Sequence, residues 1–95
     1  MRTPCVYMLA SRPRGTLYVG VTRNLPARVW QHRNDVVPGF TSQYGVHTLV
    51  WYEVHACMLA AIAREKQLKS GSRSRKLALI EAMNPRWMDL FDSVG

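Results

Sequence analysis

Cysteine is nearly absent, with only Cys5 and Cys57 in 95 residues. Two thiols do not make a disulfide framework and cannot alone close a four-ligand zinc site. No apolar run approaches the ~18 residues of a membrane span, and the N-terminus lacks the apolar core of a signal peptide. There is no Gly-rich phosphate loop, no HExxH and no GxSxG. Internal repeats and low-complexity segments are also missing. The expectation is one reduced, cytoplasmic domain over residues 1–95. The 47% apolar and 20% charged fractions are those of a folded chain with a modest core.

Acidic charge is the other shortage. Six Asp and Glu face thirteen Lys and Arg, for a net charge of +7. That imbalance suits a polyanionic partner, nucleic acid above all. The basic residues form two blocks. Arg2, Arg12, Arg14, Arg23, Arg28 and Arg33 lie in the first third. Arg64, Lys66, Lys69, Arg73, Arg75 and Lys76 fall together, opposed there only by Glu65. Residues 34–63 hold no Lys or Arg. The blocks form two walls of a nucleic-acid groove if the fold joins them, and separate solvated helix faces if it does not.

Hydrophobic patterning predicts strands over 4–11, 16–21 and 47–54. Pro13 and Gly15 punctuate a turn between the first two, which makes a hairpin. Asn24 is a suitable N-cap and Pro26 fits a first turn, so 25–34 reads as a helix that stops before the turn-like 36–39. Residues 40–46 read as a loop. Composition predicts helices over 58–70 and 74–83, ended by Gly71 and by Asn84-Pro85, and one further turn over 86–91 folded onto the core. The methionines and tryptophans read as core filler. The order β-β-α-β-α-α makes a small α+β domain, with a three-stranded antiparallel sheet covered by helices on one face and the other left as a working surface.

Strand periodicity puts Cys5, Tyr7 and Leu9 on one face, and Tyr18 and Gly20 on one face of the next strand. Across a hairpin the two phenols come near each other, as cross-strand packing or as a reactive pair. Gly20 leaves room beside Tyr18 for a ligand or a close neighbour. Arg28 and His32 share a helix face, a permanent forked cation beside a near-neutral base. Glu65 is either an i,i+4 partner for Lys69 or a hard-oxygen ligand for Mg²⁺. His47 and His55 flank the third strand without metal-ligand spacing and read as surface residues.

Together these residues resemble the GIY-YIG nuclease family. Its two strand motifs read here Cys5-Val6-Tyr7 and Tyr18-Val19-Gly20. Asn24-Leu25, Arg28-x-x-x-His32, Phe40-Thr41-Ser42-Gln43-Tyr44, the stretch 63–69 around Glu65 and the ending Asn84-Pro85-x-Trp87-x-Asp89-Leu90 follow in order. They are similar to the small stand-alone branch, which resembles the nuclease domain of bacterial excision repair. Cys5 replaces the first-motif glycine, and Val21 stands where the excision-repair branch has a lysine.

The resemblance implies metal-assisted hydrolysis of DNA phosphodiesters in repair or processing. Tyr7 or Tyr18 would be the general base, with His32 as a second proton-transfer group. A phenol has a pKa near ~10 and needs a neighbouring cation or base to act at neutral pH. Arg28 would hold the scissile phosphate and Glu65 the Mg²⁺ or Mn²⁺. Arg64, Lys66, Lys69, Arg73, Arg75 and Lys76 would grip the backbone. The alternative is a nucleic-acid-binding module of the same fold with weak or no catalysis.

Overall fold

The structure, a computed structural model, describes residues 3–36 and 39–94. Arg2 and part of the expected 36–39 turn lie outside the described residues. The chain runs β1 (Cys5–Ala10), β2 (Leu17–Thr22), α1 (Leu25–Arg33), α2 (Phe40–Gln43), β3 (Thr48–Val54), α3 (Met58–Ser70), α4 (Arg73–Met83) and α5 (Phe91–Val94). The sheet is antiparallel with order β2-β1-β3. No helix among the described residues is long and apolar enough to cross a membrane.

Turn and cap chemistry sets the element ends. Between β1 and β2, Ser11 N–H donates to the Thr16 carbonyl, and the Ser11 hydroxyl accepts from Thr16 N–H, both at 3.0 Å. The Asn24 side chain caps α1 by accepting from Ala27 N–H at 3.2 Å. Ser72 caps α4 through Arg75 N–H, also at 3.2 Å. These are the hydroxyl and amide caps that satisfy a helix's first free N–H groups.

The central strand β1 is buried along its whole length. Val6, Met8 and Ala10 face a core completed by Val19, Trp51, Ala61, Leu68, Ile80 and Trp87, under α3 and α4. Cys5, Tyr7 and Leu9 face a second core with Leu25, Val29, Leu49 and Val94, under α1 and α5. Between Met8 and Leu9 the β3 pairing shifts by one residue. This bulge lets the neighbours Val50 and Trp51 both join the first core.

Four expectations need correction. Neither sheet face is left open. The tail folds back, Leu90 N–H donating to the Leu49 carbonyl at 2.8 Å, and brings Leu90, Phe91 and Val94 onto the second face. Its helical turn lies at 91–94, after an extended 88–90, rather than over 86–91. Residues 40–46 are not simply a loop, because α2 forms between Gly39 and Gly45, both at positive φ. The Val46 N–H donates to the Thr41 carbonyl at 2.9 Å, the long backbone bond of a Schellman helix end. Finally, Met8, Trp51 and Trp87 are core, but Trp30, Met83 and Met88 are exposed.

Candidate active site

The β1–β2 register pairs Tyr7 with Gly20 and Leu9 with Tyr18. Both tyrosines therefore rise from the face under α1, with ring centroids 6.3 Å apart. Tyr7 reaches across the strand beside it. A Cβ on Gly20 would overlap the Cζ and Oη of Tyr7, so only glycine leaves the ring its path. The second motif's glycine exists for the first motif's tyrosine.

Helix α1 brings His32 to the same point. The Tyr7 hydroxyl lies 3.1 Å from His32 Nε2, and His32 Nδ1 lies 2.9 Å from the Thr41 hydroxyl. All three residues are buried. Burial pushes the His32 pKa down to about 4, helped by the Arg28 and His47 charges, so the imidazole is neutral at physiological pH. A neutral ring carries one N–H. Either Tyr7 donates to Nε2 while Nδ1–H donates to Thr41, or Thr41 donates to Nδ1 while Nε2–H donates to Tyr7. Every buried side-chain polar atom among the described residues has a partner.

Burial raises the Tyr7 phenol to about 12. The Arg28 guanidinium works against that rise, while the Tyr18 and Glu65 charges add to it. Arg28 also hydrogen-bonds Gln31 at 3.1 Å. Glu65 comes from α3, on the opposite side of the sheet, so the constellation gathers where Tyr7 crosses the edge strand β2. The Glu65 side chain is 16% exposed and pairs with Lys69 at 3.2 Å. The i,i+4 pair and the proximity to Tyr7 are both present.

Among the described residues no three His, Cys, Asp or Glu side chains converge. One carboxylate does not fit zinc, but it fits Mg²⁺, which takes one or two carboxylates and completes its shell with water and phosphate oxygens.

The structure separates the six basic residues of α3 and α4. Lys69 and Lys76 line a cavity of about 330 Å³ with Tyr18 and Phe40, beside the tyrosines. Arg64, Arg75 and Lys76 line a cleft between the two helices, and Arg64 is also paired with Glu53 at 3.0 Å. Arg73 bonds the Arg14 and Gly15 carbonyls, and Lys66 stands exposed. The two blocks do meet, at the hairpin turn, where Arg14 is held by both Glu81 oxygens at 2.8 and 2.9 Å. His47 and His55 pair with Asp35 and Glu53 at 2.7 and 2.8 Å, away from any metal cluster.

Sequence reasoning missed Thr41 as a partner of His32. The one local signal is Gly45 placed behind Phe40 and Tyr44, which stand a helical turn apart, and it marks where a helix would stop without showing that one forms.

Residues 3–78 match the GIY-YIG catalytic domain. A UPF0213 protein of Clostridium perfringens is 34% identical over 77 residues, covering 81% of this chain and 82% of the relative. UPF0213 proteins of Staphylococcus epidermidis and Staphylococcus haemolyticus are 31% and 33% identical over 67 and 66 residues, each covering 70% of this chain and 82% and 80% of the relative. No solved structure matches the chain. With the two motifs interlocked as Tyr7 over Gly20 and the catalytic-domain match running through Glu65, the chain belongs to the GIY-YIG family.

Proposed function

We propose that the protein is a divalent-cation-dependent endonuclease that hydrolyses DNA phosphodiesters, in repair or processing of DNA structures. The observation that carries this reading is the buried Thr41–His32–Tyr7 chain ending beside Arg28 and Glu65. A structural core does not need a hydroxyl, an imidazole and a phenol in series next to a cation and a carboxylate. A basic surface supplies the attraction for the polyanion.

In this reading Arg28 holds the non-bridging oxygens of the scissile phosphate and offsets their charge. Glu65 would hold Mg²⁺ or Mn²⁺, which when bound would supply Lewis-acid stabilisation of negative charge on phosphate oxygens. Tyr7 takes a proton from the attacking water as its own proton passes to His32 Nε2. Thr41 accepts from Nδ1–H and keeps Nε2 free to receive it. Passing the proton in one motion matters. Burial disfavours both the phenolate and the imidazolium, so a stepwise route through the separated charges is uphill. A bound phosphate lowers that cost by stabilising the imidazolium. Tyr18 flanks the pair, its ring 5.4 Å from that of His32, and orients the water.

The deciding variant is Glu65→Gln. It keeps the shape and removes the anionic oxygen, so Mg²⁺-dependent nicking of plasmid DNA should be abolished while DNA affinity holds or rises. Melting temperature should move little, because Gln keeps the shape of the half-buried Glu65 and an i,i+4 helix pair contributes only ~0.3–0.5 kcal/mol. Wild-type nicking by the variant would reject Glu65 as the metal ligand.

A further inference from the structure

The ring series does not stop at the proton-transfer pair. Tyr18 stacks on Phe40 with centroids 6.2 Å apart and planes 29° from parallel, and Phe40 meets Tyr44 at 4.8 Å. Phe40 is 46% exposed and Tyr44 51% exposed. Large apolar rings left this open on a basic surface have no core role to account for them. Lys69 and Lys76 sit on the Tyr18 and Phe40 side of this series, in the same cavity of about 330 Å³. Lys76 donates to the Gly71 carbonyl at 3.1 Å, which leaves its other N–H groups for an anion.

Flat aromatic faces beside two ammonium groups match the two halves of a nucleotide, base and phosphate. A base inside a duplex is stacked on both sides and offers only its edges. A ring face therefore selects a base that is out of the stack. We propose that the Tyr18–Phe40–Tyr44 face binds one unpaired nucleobase of the substrate strand, with the adjoining phosphates on Lys69 and Lys76. This rests on the nuclease reading of the neighbouring site and narrows its substrate to DNA with an unpaired nucleotide. The attachment is also mechanical. Phe40 and Thr41 are successive residues of the single turn α2, so a base seated on Phe40 steadies the hydroxyl that orients His32.

The test is made in EDTA, so that no cleavage occurs. Single strands, and duplexes with one unpaired 2-aminopurine, are compared with fully paired duplexes of the same length. The unpaired forms should bind about tenfold more tightly, with quenching of the 2-aminopurine as it stacks. Phe40→Leu keeps apolar bulk and removes the π face. It should lose roughly tenfold in affinity for unpaired DNA, lose the quenching, and leave the affinity for paired duplex unchanged. Phe40→Trp should restore both. Equal affinity for paired and unpaired DNA, or unchanged quenching in Phe40→Leu, would overturn the proposal. Absent quenching alongside Mg²⁺-dependent nicking rejects the base site alone. Quenching without nicking rejects the nuclease reading and leaves the base site standing.

Discussion

The two faces of β1 receive the same backbone and do different work. Val6, Met8 and Ala10 pack their apolar side chains under α3 and α4. The polar bonds there, Asn84 Nδ2 to the Val50 carbonyl at 3.2 Å and Trp87 Nε1 to Glu81 at 3.0 Å, come from the end of α4 and the chain after it. Cys5, Tyr7 and Leu9 meet α1 and α5, and there the packing includes a phenol, an imidazole and a buried hydroxyl. The apolar face is tolerant in principle, since any well-packed set of similar volume serves. The other face is exacting, because each polar atom must keep its partner once water is gone. Along β1 itself, apolar packing and polar partnership are thus sorted by even and odd residues, while Glu65 joins the site from α3 on the other side.

That sorting can be broken first on the apolar face. Ile80 is fully buried there. Ile80→Ala should cost about 2–5 kcal/mol of stability, with nicking per folded molecule unchanged well below the melting point. Activity lost out of proportion to the folded fraction would show that the faces are coupled.

Acid should separate the faces next. His32 is held neutral with a pKa near 4, against 6.5 for a free imidazole. As pH falls from about 6.5 to about 4, the unfolded chain gains a proton that the folded chain refuses. The folded state then loses up to about 3 kcal/mol relative to neutral pH. Melting curves across this window should show the loss in the wild type and a much flatter profile in His32→Gln. Parallel profiles would mean that His32 titrates freely in the folded protein.

A smaller effect is expected at the crossing point. Gly20→Ala forces a Cβ into the Tyr7 ring, costing about 1–3 kcal/mol as an overpacked contact. Its nicking should fall more than its stability, because the displaced group is the phenol. A crystal structure showing Tyr7 unmoved would refute the interlock.

The least disruptive probe is Thr41. Thr41→Ser keeps the hydroxyl and removes one methyl, about 0.8 kcal/mol if fully buried, and should nick normally. Thr41→Val keeps the shape, leaves Nδ1 without a partner, and should reduce nicking about tenfold or more. Equal rates in the two would make Thr41 mere packing.

Much of this was readable in the sequence because local chemistry and tertiary need agree. Alternation in the strands expected over 4–11 and 16–21 put Tyr7 on one face and Tyr18 with Gly20 on one face of the next strand, and the hairpin register brings the three together. Asn24 and Pro26 marked the start of α1, and the run after Cys57 gave α3 residue for residue. Other features depended on distant partners. The covering of the second face hangs on Leu90, Phe91 and Val94: a tail folded onto the core was expected, but which face it covers appears only when the tail pairs with Leu49. The division of the cations was equally hidden. Arg73 and Lys69 look alike in a basic run, yet one ties down a hairpin turn and the other faces the tyrosines. Gly45 did announce a helix end, but a single turn is too short for composition to reveal.

The complete burial of β1 gives this small protein a shared wall between its two cores. A wall that both rooms lean on cannot shift for one of them alone. The backbone beneath Tyr7 is fixed by Met8 and Val6 pressing from behind as much as by its own neighbours. Precision at the phenol therefore comes from the passive side of the sheet. Changes in that core that leave the β1 backbone in place should leave Tyr7 where it is, whatever stability they cost, and only those that move the strand itself reach the phenol.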